Sequence, residues 1–346
     1  MLPKDLWIEI SLYLKPNELK IINTSFNFYN DLWYKQKLIL EYPNIELWTN
    51  TNFKDLYEKS LLSGDLHWYK IIDTGLEKLE EFPIKGIKVT NIGIMDHLIL
   101  TFNGELWLCV GKTLKLIDTN VIDISDFSYI KHNEWYILDR HTFETKLIKQ
   151  TLGDNIFLSI ASDSDDFTWG DRIYQICAIT STTLYTIDYK DEYEPNEFNL
   201  IKVYCKCTKD TLAKKIVFIG GLFCILYNNN DIIMFNLRKK HFTSNSMNVK
   251  DVMRGTIVLP NNKVILLPNN LSINKIELIF DDWDDHSITL PGSIMCSVDF
   301  YDGYYMLIDN ILHVYNSVTG LTKLNYSVKS FSYYSFEFTT DLYLVI

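Results

Sequence analysis

A strand-sized motif recurs along most of this chain, and it limits the possible folds more than any other feature. Each copy is a polar turn followed by a short run of the form Leu/Trp-x-apolar. The runs are Glu105-Leu106-Trp107-Leu108, Glu134-Trp135-Tyr136-Ile137, Thr183-Leu184-Tyr185-Thr186, Asp231-Ile232-Ile233-Met234, Lys275-Ile276-Glu277-Leu278, Ile311-Leu312-His313-Val314 and Asp341-Leu342-Tyr343-Leu344. Seven copies fall within about 240 residues at intervals of about 30–50, a period that marks a propeller or a solenoid. The turns ahead of them are Asn103-Gly104, His132-Asn133, Ser181-Thr182, Asn228-Asn229-Asn230, Asp309-Asn310 and Thr339-Thr340. Asn-Gly is a strong hairpin signal because both residues tolerate positive φ. The fifth unit carries two candidate turns, Pro260-Asn261-Asn262 and Pro268-Asn269-Asn270, so two positions compete for its strand.

Each copy is taken as the third strand of a four-stranded unit. The last unit, residues 328–346, then supplies three strands, and His67-Trp68-Tyr69-Lys70-Ile71-Ile72 offers a fourth. A ring that borrows a strand from its own start leaves no open sheet edge. The expected body is therefore a β-propeller over residues 65–346 with seven blades, six being the alternative. Residues 67–72 should pair with residues 341–346. Composition agrees: aromatic residues make up 14% of the chain and suit a pleated surface. Ala occurs only at positions 161, 178 and 213, which leaves little material for long generic helices.

The amino end follows a different period. Pro3 suits a first helical turn, and Leu6, Trp7, Ile10 and Leu14 then form a stripe at helical spacing. Lys15-Pro16 ends that helix, because the residue before Pro is pushed out of the αR region. A second helix starts at Pro16-Asn17-Glu18, with Leu19, Ile22 and Phe26 inward. A third runs from Asp31 through Leu40 and stops at Tyr42-Pro43. A further amphipathic helix is expected within residues 48–62, with Phe53, Leu56, Tyr57, Ser60 and Leu61 on one face and Thr51 or Asn52 as cap.

The order Leu2-Pro3, Asp5, Leu6-Trp7-Ile8, Ile10, Tyr13-Leu14, Pro16, Glu18-Leu19 resembles an F-box, with Phe28 and Trp33 at its later aromatic positions. The resemblance covers about residues 2–40, and the interval from Phe28 to Trp33 is shorter than the family's. It implies an α+β, multidomain chain: an F-box at residues 1–43, a helical bridge at 44–64 and an all-β propeller at 65–346. It also implies a Skp-type adaptor as partner and, through it, a cullin scaffold. Leu2, Pro3, Leu6, Ile10, Leu14, Pro16 and Leu19 are the candidate adaptor-binding residues. Some of them must instead form the module's own core. An F-box ahead of divergent Asn-, Ile- and Tyr-rich repeats is similar to F-box proteins of large DNA viruses. The repeats themselves resemble degenerate regulator-of-chromosome-condensation units, on the match of Asn103-Gly104-Glu105-Leu106-Trp107.

Other chemistries are weakly signalled. A net charge of −11 disfavours a phosphate-backbone partner. No apolar run approaches the length of a membrane helix, and no secretion signal opens the chain. Six Cys at 109, 177, 205, 207, 224 and 296 then suggest reduced thiols in a cytoplasmic or nuclear setting. Gly104 and Gly111-Lys112-Thr113 enclose a strand where a P-loop needs four loop residues. Acidic clusters at residues 163–171 and 281–285 lack the calcium-loop order. No cofactor, metal or catalytic residue is expected, and the function expected is a ligase receptor whose propeller holds a protein target. An adaptor-sequestering decoy, or a propeller enzyme with an incidental helical start, are the alternatives.

Overall fold

A computed structural model of the chain describes residues 10–14, 31–42, 52–72, 75–92, 96–111, 113–139, 142–152, 155–162, 173–190, 201–204, 211–219, 221–236, 241–245, 248–267, 279, 287–300, 303–336 and 339–346. Among the described residues, two helices, α1 (Asp31–Glu41) and α2 (Phe53–Leu62), and the end of a helical turn at residues 10–14 precede the strands. The first two strands are β1 (Gly64–Ile72) and β2 (Gly75–Gly86). Six sheets of four sequential antiparallel strands follow. Blade 1 is β3 (Lys88–Asn91), β4 (Asp96–Leu100), β5 (Leu106–Val110) and β6 (Thr113–Asp118). Blade 2 is β7 (Asp123–Ser125), β8 (Ser128–Ile130), β9 (Glu134–Leu138) and β10 (Thr145–Gln150). Blade 3 is β11 (Phe157–Ser162), β12 (Ile173–Thr180), β13 (Thr183–Lys190) and β14 (Ile201–Tyr204). Blade 4 is β15 (Ala213–Ile219), β16 (Leu222–Tyr227), β17 (Ile232–Asn236) and β18 (His241–Asn245). Blade 5 is β19 (Asp251–Met253), β20 (Thr256–Val258), β21 (Lys263–Leu266) and β22 (Ser287–Thr289). Blade 6 is β23 (Ile294–Phe300), β24 (Gly303–Ile308), β25 (Ile311–Asn316) and β26 (Gly320–Ser327). Blade 7 takes β27 (Ser330–Phe336) and β28 (Thr339–Val345) from the end of the chain and β1 and β2 from its start.

The first strands pack in series, β3 on β7, then β11, β15, β19, β23 and β27, and β27 returns to β3. The fold is a seven-bladed β-propeller. Its second strands explain the apolar runs in the sequence. Every residue of Leu-Phe-Cys-Ile-Leu-Tyr in β16 and of Gly-Tyr-Tyr-Met-Leu-Ile in β24 is buried, because both faces of each blade press on a neighbour. The outermost strands β6 and β26 are mixed and half exposed. An apolar cluster fills each seam. Leu66, Phe82, Val89, Ile99, Tyr343 and Val345 close blade 7 on blade 1, and Tyr305, Leu307, Phe331 and Leu344 join blade 6 to blade 7.

A backbone device repeats where side chains do not. In six blades the turn between second and third strands offers one carbonyl to the residue that crosses into the next blade. Val121 donates to Gly104, Thr151 to Asn133, Ala213 to Ser181, Val249 to Asn230, Leu290 to Asn262 and Val328 to Asn310, all at 2.8–2.9 Å. Each donor is buried. Four of these turns use the left-handed region at Gly104 (φ 81°), Asn230 (67°), Asn262 (59°) and Asn310 (63°), which Gly and Asn enter at least cost.

Two assignments from the sequence are corrected. The third strand of blade 5 is Lys263–Leu266, not Lys275-Ile276-Glu277-Leu278, which lies outside the described residues. The first of the two turns makes the hairpin, with Asn261 and Asn262 both at positive φ and Val258 facing Val264. The last unit contributes two strands rather than three, and Asp341-Leu342-Tyr343-Leu344 lies in a second strand. Residue pairing does close the ring, His67 on Leu344, Tyr69 on Leu342 and Lys70 on Asp341, but the amino end supplies both outer strands. Strand β2 was hidden because it is charged and contains Pro83. Pro is tolerated there because β2 is an outer edge strand, and the ladder shifts register beside it, where Leu66 faces Phe82 and Asp65 faces Lys85.

At the seam, Asp65 N–H donates to Ile346 O at 3.0 Å and Ile346 N–H donates back to Asp65 O at 2.9 Å. A Cβ on Gly64 would lie 2.0 Å from Ile346 O. Gly64→Ala should therefore cost about 1–3 kcal/mol of ring stability by overpacking, read as a lower urea midpoint with an unchanged slope.

Candidate protein-docking site

The first described residues end a helical turn. Tyr13 N–H donates to Ile10 O at 3.1 Å and Leu14 N–H to Ser11 O at 3.4 Å. The last carbonyls of a helix have no partner within it. Lys37 of α1 supplies one from outside: its Nζ donates to Leu12 O at 2.7 Å and Leu14 O at 2.9 Å, and pairs with Glu41 at 2.8 Å. The ammonium has three donors and meets three acceptors, which is what allows a lysine only 3% exposed. Its charge also matches the negative end of a helix dipole. Beside it the Trp33 indole N–H donates to Ser11 Oγ at 2.8 Å.

Trp33, Leu38 and Tyr57 form the buried centre of the module, ringed by Leu12, Leu14, Tyr34, Tyr42, Phe53, Leu56 and Phe102. Trp33 meets Tyr34 and Tyr57 edge-on, with ring centroids 5.0 and 5.9 Å apart. Asn52 caps α2 by accepting from Asp55 N–H, and α2 turns Tyr57 and Ser60 inward. Leu61, expected on that inner face, is exposed instead.

Outside this core the module presents apolar side chains to solvent. Leu32 is 61% exposed and Tyr13 72%, and Ile39 and Leu40 are also exposed. Leu32, Ile39 and Leu40 stand at i, i+7 and i+8 on the outer face of α1. Of the residues expected to bind an adaptor, Ile10 is half-buried at the helix end and Leu14 is half-buried against the Trp33–Leu38–Tyr57 centre. Leu2, Pro3, Leu6, Pro16 and Leu19 lie outside the described residues, as does Phe28. The outer stripe of α1 was missed because both faces of Asp31–Glu41 are apolar. Leu32, Ile39 and Leu40 alternate with Trp33 and Leu38, and spacing alone does not say which face turns in.

Only Ser63 separates α2 from β1. Its N–H donates to Ser60 O at 3.1 Å and its carbonyl accepts from Lys329 Nζ at 2.6 Å. Desolvation, aided by neighbouring Lys85 and opposed by Asp65, holds the Lys329 amine below the usual lysine range. Tyr42 packs its ring on Phe102, centroids 4.6 Å apart, and its hydroxyl reaches Ser60 O at 3.5 Å. The module thus stands at the place in blade 7 where the other blades have a turn between their second and third strands, and it leans on that turn of blade 1.

The long connections β11–β12, β13–β14 and β21–β22 leave the other rim, since they join first to second or third to fourth strands. The acidic clusters at residues 163–171 and 281–285 fall in these connections and lie outside the described residues. On the inner strands two seams carry matching ion pairs, Lys88 to Asp123 at 2.6 Å and Lys215 to Asp251 at 3.0 Å. Each aspartate also accepts from the next backbone N–H, Ile124 and Val252. These pairs are partly exposed, so each adds at most about 1 kcal/mol.

Fold and site together define a seven-bladed propeller with a helical module seated on one rim. No protein-family model matches the chain, and no curated protein matches it. Solved structures similar to it include BBS1N in complex with ARL6DN, at 9% identity and a TM-score of 0.49, covering 75% of this chain and 91% of that one. Another is Sqt1 of Saccharomyces cerevisiae, at 9% identity and a TM-score of 0.49, covering 81% and 90%. A third is the β-propeller domain of Cps50 (Swd1) from Myceliophteria thermophila, at 8% identity and a TM-score of 0.45, covering 75% and 95%. At these values the blade count rests on this chain's own strand pairing.

Lys37→Met keeps the stem but strips the Leu12 and Leu14 carbonyls of their donor. It should destabilise the module by about 2–6 kcal/mol, at about 1–3 kcal/mol for each of the two groups left unsatisfied. The Trp33 indole N–H resonance should move, while β16 amides keep their chemical shifts.

Proposed function

We propose that this chain is the target-binding subunit of a cullin-type ubiquitin ligase. Its helical module docks on a Skp-type adaptor, and a rim of the propeller holds a protein target. One observation carries this most: the module completes a core with Trp33, Leu38 and Tyr57 and still leaves Tyr13, Leu32, Ile39 and Leu40 outside it. An apolar helix face of that kind suits a groove on a partner. The Leu2-Pro3 to Leu19 pattern supports the same partner.

No covalent step falls to this polypeptide. A receptor works by raising the local concentration of target beside the ubiquitin carrier, which requires a spacer of fixed geometry. The junction at Ser63 meets that need, since helix passes to strand across one residue. The rim away from the module is the target face in this proposal. Its connections contain the acidic clusters, whose charge favours a basic segment of the target.

Leu32→Asp combined with Ile39→Asp places charge on exposed positions and leaves the module's core intact. Recovery of the adaptor from cell extract by the intact chain should fall at least tenfold in this variant, with an unchanged melting temperature. Unchanged recovery, or none with the original sequence, would count against the proposal. Ubiquitination of a bound target, lost in the same variant, separates receptor from decoy.

A further inference from the structure

Blade 7 is the one blade whose second and third strands are not joined by a covalent turn. Elsewhere that turn does two jobs. It ties the two central strands of a blade together, and it offers a carbonyl to the crossover into the next blade. In blade 7 the two strands are held by the β28–β1 ladder and by the reciprocal Asp65–Ile346 hydrogen bonds.

The end of α2 occupies the position of the absent turn. Three contacts fasten it there. Lys329 follows the crossover residue Val328, and its backbone N–H donates to Val345 O at 2.7 Å while its Nζ donates to Ser63 O at 2.6 Å. One residue thus holds the last strand with its backbone and the helix cap with its side chain. A lysine at a helix C-terminus also meets the negative end of the dipole. Gly64, next in the chain, lies so close to Ile346 O that no side chain fits between them. On the far side Tyr42 spans from Ser60 O to the Phe102 ring of blade 1. The module therefore reaches across the ring's non-covalent join, which lies inside blade 7, through Lys329, and braces on the neighbouring blade 1 through Phe102.

We infer that the helical module is the latch of the propeller: its seating on Lys329 and Phe102 holds the β28–β1 seam shut. Opening of that seam requires the module to lift, and lifting the module loosens the seam. By linkage, a partner that binds only the seated module slows opening of the seam. This goes beyond the receptor function and stands without it, because the contacts belong to this chain alone.

Hydrogen exchange of the intact chain tests the latch. Lys329→Met removes the amine and keeps the stem; Phe102→Ala removes the ring under Tyr42. Each should speed exchange of the β1 and β28 amides about tenfold or more, while the β16 and β17 amides of blade 4 keep their rates. A disulfide between Asp65→Cys and Ile346→Cys makes the join covalent, and in that background Lys329→Met should no longer change seam exchange. Unchanged seam exchange in both variants overturns the latch. So does equal acceleration in the seam and blade 4, or acceleration that persists with the disulfide in place. None of these outcomes involves an adaptor, so they are separable from failure of the proposed function.

Discussion

Everything in this molecule hangs on one ladder, that between β28 and β1. It joins residues about 280 positions apart, and closing so long a loop costs about 5 kcal/mol in chain entropy beyond a constant. Leu66, Phe82, Leu344 and Val345 are buried when it forms. At about 1.5–3 kcal/mol for each side chain, their burial more than offsets that cost. Closure then removes the two free sheet edges that an open array would expose. It also allows each blade to lie between two neighbours, which is why second strands such as β16 and β24 are apolar on both faces. An open chain of the same blades would leave β3 and β27 uncovered.

The same join explains where the helices are. The chain enters blade 7 at its third strand, so whatever precedes Gly64 must emerge at the rim where a turn would stand. Helix α2 ends there within hydrogen-bonding distance of Lys329, and α1 folds over it through Trp33, Leu38 and Tyr57. The outer stripe of α1 is left exposed to solvent. Under the receptor proposal, adaptor and target are held at a separation fixed by the propeller's own thickness, with no flexible linker between them.

The sequence revealed the ring through third strands, partly buried apolar runs that each follow a polar turn, and it concealed the parts held by backbone or by charge. Five of the seven third-strand copies stand where they were aligned, because a Leu or Trp beside a polar turn is locally encoded. Blade 5 was misplaced because two Pro-Asn-Asn turns compete and only tertiary pairing selects the first. Strand β2 was missed because Glu77, Glu80, Glu81 and Pro83 read as anything but a strand, and its outer edge position is what tolerates them. The carbonyl link from Gly104 to Val121 and its five counterparts run through the backbone, so the Gly and Asn of the turns mark the bend and not the residue that donates to it. At the module, Trp33 and Leu32 are adjacent in sequence and opposite in environment. Leu14 turns into the module's own core, a division that spacing alone could not make.

Calorimetric titration of the purified Skp-type adaptor into the intact protein tests the central claim most directly. The account predicts saturable one-to-one binding with a negative heat-capacity change, the mark of apolar surface leaving water. Absence of binding at micromolar concentrations, or binding with no heat-capacity change, would contradict it.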